Sequence, residues 1–335
     1  MVDVAPARLM GVSVVPHPPL EPPRFEGAFR LRSGRRLGFA EFGPATGRPL
    51  LWFHGTPGAR RQIAPSARDL ANERGVRIVS VERPGVGEST PHAYGAITDF
   101  ARDVEQLCDA LGIEEFAIAG LSGGGAYALA CAHELPARVV AVGVLSGVAP
   151  SVGPDAAAGG PTALTRTFAP LLLRARQPLG GMVSGLIRLF EPLADRAVDL
   201  FARRISPADR PLFEDASMRR MFTEDLILAS RNNMQAICLD LALFGRPWGF
   251  ALGDLEVPVH LWHGDSDRIV PVEHGMHLSK RIPGSVLRIR AGEGHLGSLG
   301  AAHEVFEAIF SHWPDEPDLS ERTRGPELPQ PSMLE

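Results

Sequence analysis

A serine at position 122 stands among glycines, in the run Gly120-Leu121-Ser122-Gly123-Gly124. The apolar residues before it predict a buried strand and those after it predict a helix, so the chain must turn sharply at the serine. Glycines suit such a turn because no side chain fits where strand and helix backbones nearly touch. The hydroxyl is then presented at the tip of the turn, beside the first N–H groups of the helix. A hydroxyl placed in this way is a candidate nucleophile.

A serine nucleophile needs a base to accept its proton, and the base needs an acid to fix its tautomer. Among the 11 histidines, His295 follows a predicted strand at 286–289 in a glycine-rich loop, whereas others lie on predicted helices or in loose segments. Doubly wound sheets build their sites at the carboxyl ends of strands, so His295 is predicted to be the base. Asp265 and Asp267 follow another predicted strand, at 257–262. The sequence leaves both open as the acid, because Asp beside Gly and Ser is also a common turn residue.

Acyl transfer also requires N–H groups that bind the negative oxygen of the intermediate. Gly123, at the start of the predicted helix, is expected to supply one of them. The second is expected from the loop after a predicted strand at 49–53. That loop reads His54-Gly55-Thr56-Pro57-Gly58. Its proline has no N–H, so the two glycines and the threonine remain as donors, while the histidine and proline also suit a tight structural turn.

The surrounding elements predict how these residues are held. Strands and helices alternate from residue 49 to 145, which predicts right-handed crossovers and a parallel α/β sheet covered by helices. A predicted hairpin at 25–43 starts the sheet with antiparallel strands. The predicted units are a Pro-rich arm at 1–24, an α/β core at 25–148 and 254–313, a helical insertion at 149–253 and a disordered tail at 314–335.

The insertion at 149–253 carries helical patterns and no convincing strand. Because it leaves the carboxyl edge of the sheet, it is predicted to fold over the site as a cap and to supply the walls of a substrate pocket. An apolar helical stripe in it either packs on the core or lines that pocket. The stripe includes Leu186, Ile187, Phe190 and Phe201.

The composition and net charge argue against some classes of binding partner. Lys and Arg number 34 against 39 Asp and Glu, and the net charge of −5 without a long basic run argues against nucleic acid and anionic membranes. No uncharged run reaches the roughly 18 residues of a membrane helix. The first 15 residues make a poor signal peptide, so the cytoplasm is the expected location. Three cysteines without paired or metal-like spacing, Cys108, Cys131 and Cys238, are predicted to be buried hydrophobic residues.

Together the motifs resemble the α/β-hydrolase superfamily over residues 35–312, with a mostly parallel doubly wound sheet and a helical cap. They are Gly120-Leu121-Ser122-Gly123-Gly124, His54-Gly55-Thr56-Pro57-Gly58, Arg83-Pro84-Gly85-Val86-Gly87-Glu88-Ser89, Gly264-Asp265-Ser266-Asp267-Arg268-Ile269-Val270-Pro271 and Gly294-His295. The order serine, acid, histidine also matches that fold. The resemblance implies Asp267 as the acid and Thr56 as the second oxyanion donor. Glu82 stands where the family usually has Asp, before a run that is predicted to be a structural turn.

The resemblance also implies a reaction. A serine nucleophile argues against the haloalkane dehalogenase and epoxide hydrolase branches, whose nucleophile is Asp. The loop at 54–58 is similar to that of proline iminopeptidases, but it has Thr where they have Gly. The implied activity is hydrolysis of a small carboxylic ester, thioester or similar acyl compound through an acyl-enzyme, without a cofactor or metal. Perhydrolysis, carbon–carbon or amide hydrolysis, and a non-catalytic small-molecule receptor stay open, as does the oligomeric state.

Overall fold

The computed structural model describes residues 20–157, 171, 174–182, 184–186, 206–231 and 235–313. The described chain contains one sheet of eight strands in the order β1-β2-β4-β3-β5-β6-β7-β8. The strands are β1 (Phe25–Arg30), β2 (Arg36–Phe42), β3 (Arg48–Phe53), β4 (Val76–Val81), β5 (Phe116–Leu121), β6 (Val139–Leu145), β7 (Val259–Gly264) and β8 (Val286–Arg290). Only the pairs β1–β2 and β2–β4 are antiparallel. The predicted mostly parallel sheet with an antiparallel start is therefore confirmed.

Helices cover both faces of this sheet. They are α1 (Pro65–Glu73), α2 (Asp99–Ala110), α3 (Gly123–Glu134), α4 (Ala216–Ser230), α5 (Gln235–Phe244), α6 (Glu273–Arg281) and α7 (Ala302–Phe310). Buried residues of α2, α3 and α6 share one apolar core, and those of α1 and α7 share the other. Alternate residues of β5 contribute to the two cores, and all six are buried. A strand buried on both faces has the continuous apolar sequence seen here.

Several predicted element bounds shift by one to three residues in the structure. β7 begins at Val259, two residues later than expected, because Pro258 has no N–H to donate to a strand ladder. The last helix, predicted from the sequence over 302–313, ends at Phe310, and residues 311–313 form a turn. The three cysteines are free and buried, as predicted. Within the described ranges, no helix combines the length and the apolar character needed to cross a membrane.

The loop after β4 is built around the buried carboxylate of Glu82. Arg60 Nη1 lies 2.5 Å from its Oε1, and the N–H of Glu88 donates to its Oε2 at 2.7 Å. Added Cβ atoms on Gly38 and Gly87 would each lie 2.0 Å from Glu82 oxygens. Glycines are needed at both positions because this carboxylate fills the space that a side chain would occupy.

Most of the described part of the insertion between β6 and β7 is helical. It includes helical residues at 174–182 and 184–186, a 3-10 helix at Pro207–Phe213, and helices α4 and α5. In the predicted apolar stripe, Leu186 is 48% exposed, and Ile187, Phe190 and Phe201 lie outside the described residues. Residues 1–19 and 314–335 also lie outside them, so the predicted arm, tail and unit boundaries stay predictions.

Asp225 of α4 attaches this insertion to the core. Its two carboxylate oxygens accept the N–H groups of Ala59 at 2.8 Å and Arg61 at 3.0 Å, and the residue is 1% exposed. Burial raises the pKa of Asp225 from 3.8 to about 7, against the lowering effect of those two N–H groups. The carboxyl therefore binds its proton more tightly in the folded protein than in the unfolded chain.

We expect this carboxyl to make stability fall as the pH rises. Between about pH 4 and pH 7 the folded state holds a proton that the unfolded chain has lost, so unfolding releases it and a higher pH favours unfolding. The difference between the pKa values of Asp225 in the unfolded and folded states corresponds to at most roughly 4 kcal/mol in the free energy of unfolding. Melting temperatures of the wild type and Asp225→Asn, measured from about pH 5 to 8, should show the steeper decline in the wild type. Equal slopes would contradict a raised pKa at this site.

Candidate active site

Ser122 occupies a strained turn between β5 and α3. Its φ of 53° and ψ of −119° are unusual for a residue with a side chain, and its N–H donates to Leu145 O of the neighbouring β6 at 2.7 Å. An added Cβ on Gly120 would lie 2.5 Å from Gly124 O, and one on Gly124 would lie 2.2 Å from Phe53 O. The two glycines let the backbones approach, and the serine is held at the start of the helix.

His295 and Asp267 are directly bonded. His295 Nδ1 lies 2.7 Å from Asp267 Oδ2, and the other carboxylate oxygen accepts the N–H groups of Ile269 and Val270 at 2.8 and 2.9 Å. Burial by itself would raise the pKa of Asp267, but hydrogen bonds from His263 and His295 outweigh it and hold that pKa well below its usual range. The carboxylate is therefore ionised and oriented toward the imidazole.

Asp265, the other acid that follows β7, does not contact His295 and lies in a surface turn. Asp265 is exposed, and its Oδ1 accepts the Ser266 hydroxyl at 3.0 Å and the N–H of Gly292 at 2.8 Å. These are the contacts of a turn residue, the alternative role that the sequence allowed for it. Of the two candidates, the one bonded to His295 is Asp267.

The sheet brings the three candidate residues to one edge. β5, β6, β7 and β8 are consecutive parallel neighbours, with Leu121 opposite Leu145 and Leu145 opposite Trp262. Ser122 follows β5 directly, Asp267 follows β7 and His295 follows β8, each at the carboxyl end. Parallel sheets place their sites at this edge. The serine is thus positioned by strand register, and the acid and base by a hydrogen bond.

Thr56 and Gly123 lie side by side at the same edge. A Cβ added to Gly123 would be 2.8 Å from Thr56 Oγ1, so the Thr56 side chain packs against the backbone of Gly123. The N–H of Gly55 already donates to Gln62 Oε1 at 2.6 Å. Of the three donors that the sequence left open, this leaves Thr56 and Gly58 with an N–H to offer.

His54 is buried and serves the loop itself. The N–H of Arg83 donates to its Nε2 at 3.3 Å, so the proton is on Nδ1, which donates to Gly55 O at 2.8 Å. Burial and the adjacent Arg83 charge lower the pKa of His54 well below 6.5. The ring is neutral and fixes the loop, in agreement with a structural role.

Sequence reasoning missed two buried aspartates of the insertion. Asp209, in the 3-10 helix at Pro207–Phe213, accepts the N–H groups of His295 and Leu296, both at 2.9 Å. A Cβ on Gly294 would lie 2.3 Å from Asp209 Oδ2, which explains the glycine before the histidine. Asp240 of α5 accepts the Thr56 hydroxyl at 2.7 Å. No local pattern links these acids to loops 86 and 184 residues away.

Among the residues that the structure describes, no group of three or more His, Cys, Asp or Glu side chains is placed to hold a metal ion.

Comparison with known proteins gives a consistent result. Residues 48–302 match the sequence model of the α/β hydrolase fold. The AB hydrolase superfamily protein YisY of Bacillus subtilis is 29% identical over 269 residues, which cover 79% of this chain and 90% of that protein. A proline iminopeptidase of Xylella fastidiosa is 24% identical over 306 residues, covering 80% and 90%. A thermophilic esterase from Thermogutta terrifontis has the same fold, with a TM-score of 0.60, 22% identity, and coverage of 86% and 96%.

Proposed function

The chain belongs to the α/β-hydrolase family, as its motifs predicted, and we propose that it is a serine hydrolase that cleaves a carboxylic ester or related acyl compound through an acyl-enzyme. The observation that carries this proposal is the 2.7 Å hydrogen bond between His295 and the buried Asp267, at the sheet edge where Ser122 ends β5. An orienting acid, a base and a nucleophile are the groups that acyl transfer requires.

The proposed reaction has two halves. Ser122 Oγ attacks the acyl carbon while His295 Nε2 takes its proton, and ionised Asp267 stabilises the imidazolium through Nδ1–H. The N–H groups of Thr56 and Gly123 bind the oxygen that becomes negative. The imidazolium then protonates the leaving alcohol, which leaves the acyl group on the serine. A water molecule, deprotonated by His295, attacks the acyl-enzyme, and the imidazolium returns the proton to Ser122 Oγ as the acid is released. These residues supply every proton transfer, so the proposal needs no cofactor.

The test is a burst experiment with an activated aryl ester. We expect rapid release of about one aryl alcohol per protein molecule, followed by slower turnover, because acylation precedes hydrolysis of the acyl-enzyme. A fluorophosphonate should label Ser122 in the same sample. The same assay with other reagents separates the alternative reactions of these three residues. Thioesters, prolyl amides and a carbon–carbon substrate test the other hydrolyses, and peroxide as the second nucleophile tests perhydrolysis. Absence of both burst and label would contradict the proposal and favour a receptor.

A further inference from the structure

The insertion reaches the proposed oxyanion hole through one buried carboxylate, that of Asp240 on α5. The residue is 2% exposed. Its Oδ2 accepts the Thr56 hydroxyl at 2.7 Å, and its Oδ1 accepts the Tyr127 hydroxyl at 2.8 Å. Thr56 follows β3 and Tyr127 belongs to α3, whose first residue is Gly123. The carboxylate therefore joins both elements that would supply the oxyanion N–H groups.

Arg83, which belongs to the core, bonds both Asp240 and the loop after β3. Its Nη2 lies 2.8 Å from Asp240 Oδ2, 2.8 Å from Thr56 Oγ1 and 2.9 Å from Gly55 O. Its Nη1 donates to His54 O. One planar guanidinium thus contacts three consecutive residues of the loop, and its fixed donor geometry restrains their positions. The loop is held by Arg83 from the core and by Asp240 from the insertion.

We propose that Asp240 is a positioning residue, through which the docked insertion holds the Thr56 N–H in the geometry that an oxyanion requires. The proposal rests on the acyl-transfer function proposed above. Asp240 acts through Thr56 and makes no contact with reacting atoms. A misplacement of about 1 Å in a catalytic group costs on the order of 10² in rate. Because the hole binds the intermediate more strongly than the substrate, the loss is expected in kcat and not in KM.

A purely structural role is the competing explanation. A buried ion pair such as Arg83–Asp240 matters to folding, because removing one charge leaves the other uncompensated. Asp240→Asn therefore lowers stability whatever its effect on catalysis. Thr56→Val separates the two effects: it keeps the backbone N–H and the Arg83–Asp240 ion pair, and it removes the hydroxyl that donates to Asp240 and accepts from Arg83.

The experiment measures kcat and KM of Thr56→Val, Asp240→Asn and the double variant on an activated aryl ester. Rates are normalised to active sites counted by intact mass after complete fluorophosphonate labelling. We expect each single variant to lose about 10- to 100-fold in kcat, with KM within about threefold. The double variant should fall little further, because the hydrogen bond that Asp240→Asn weakens is already absent in Thr56→Val. Thr56→Ser, which restores the hydroxyl, should recover most of the loss.

Asp155→Asn is the matched control. Asp155 also belongs to the predicted insertion, and its Oδ2 accepts the N–H of Leu252 at 2.8 Å, away from the loop after β3. It should leave kcat unchanged. Full kcat in Thr56→Val, or losses that simply add, would contradict the proposal, whether or not Asp240→Asn folds. A wild type that neither shows a burst nor labels at Ser122 contradicts the proposed function and this inference with it. A wild-type burst with fully active variants overturns this inference alone.

Discussion

Ser122→Ala is expected to abolish turnover, with a loss in kcat of about 10⁴ to 10⁶. The substitution removes the oxygen that we propose forms the acyl-enzyme, and it leaves the histidine–aspartate pair and the proposed oxyanion donors in place. What remains is the small rate that an oxyanion hole and binding provide without a nucleophile. The fold should persist, because alanine keeps the Cβ that the turn at φ 53° already accommodates. The measurement is kcat on an aryl ester, together with fluorophosphonate labelling and a melting curve.

Ser146→Ala is a close control for this substitution. Ser146 also has a positive φ, 49°, and it follows β6, the strand adjacent to β5. Its exposed fraction is 0%, against 7% for Ser122, so its hydroxyl is the less accessible of the two to a reagent. We expect this variant to keep both turnover and labelling. Labelling that survives in Ser122→Ala, or that disappears in Ser146→Ala, would show that the nucleophile has been assigned to the wrong residue.

Asp267→Asn is expected to lower kcat by about 10⁴. Asp267 Oδ2 accepts the proton on His295 Nδ1, which leaves Nε2 free to take the proton of the serine. An amide NH₂ group turned toward Nδ1 would favour the other tautomer, in which Nε2 carries a proton and cannot act as a base. The histidine would remain in place without its function. Steady-state kinetics on an activated ester measure the loss.

Asp265→Asn provides the comparison for this loss. It makes the same chemical change two residues away, on an exposed carboxylate bonded to Ser266 and Gly292. A change of no more than a few-fold in kcat is expected, because surface turn contacts contribute little to the site. Small and equal effects of the two substitutions would place the orienting acid elsewhere. Melting curves of both variants exclude loss of the fold as the cause.

The sequence by itself predicted those features of the fold that depend on interactions between residues close together in the chain. Two glycines that flank Ser122 predict the strand-to-helix turn, since only residues without Cβ allow those backbones to approach. Continuous apolar runs predict strands buried on both faces, and the alternation of strands with helices predicts a parallel sheet. The motifs from 54 to 295 then indicated the family. A single missing donor, at Pro258, explains the late start of β7.

The tertiary structure shows which of two acids with similar local sequence contacts His295, and it is the one that the family motif implied. Asp265 and Asp267 both follow β7, and which one reaches His295 depends on how two loops pack. The roles of Asp209 and Asp240 depend on contacts with residues 86 and 184 positions away. Sequence patterns report contacts over a few residues, where backbone geometry fixes the distance. A contact between distant segments exists only once the sheet and the insertion have packed, because packing is what brings those side chains together.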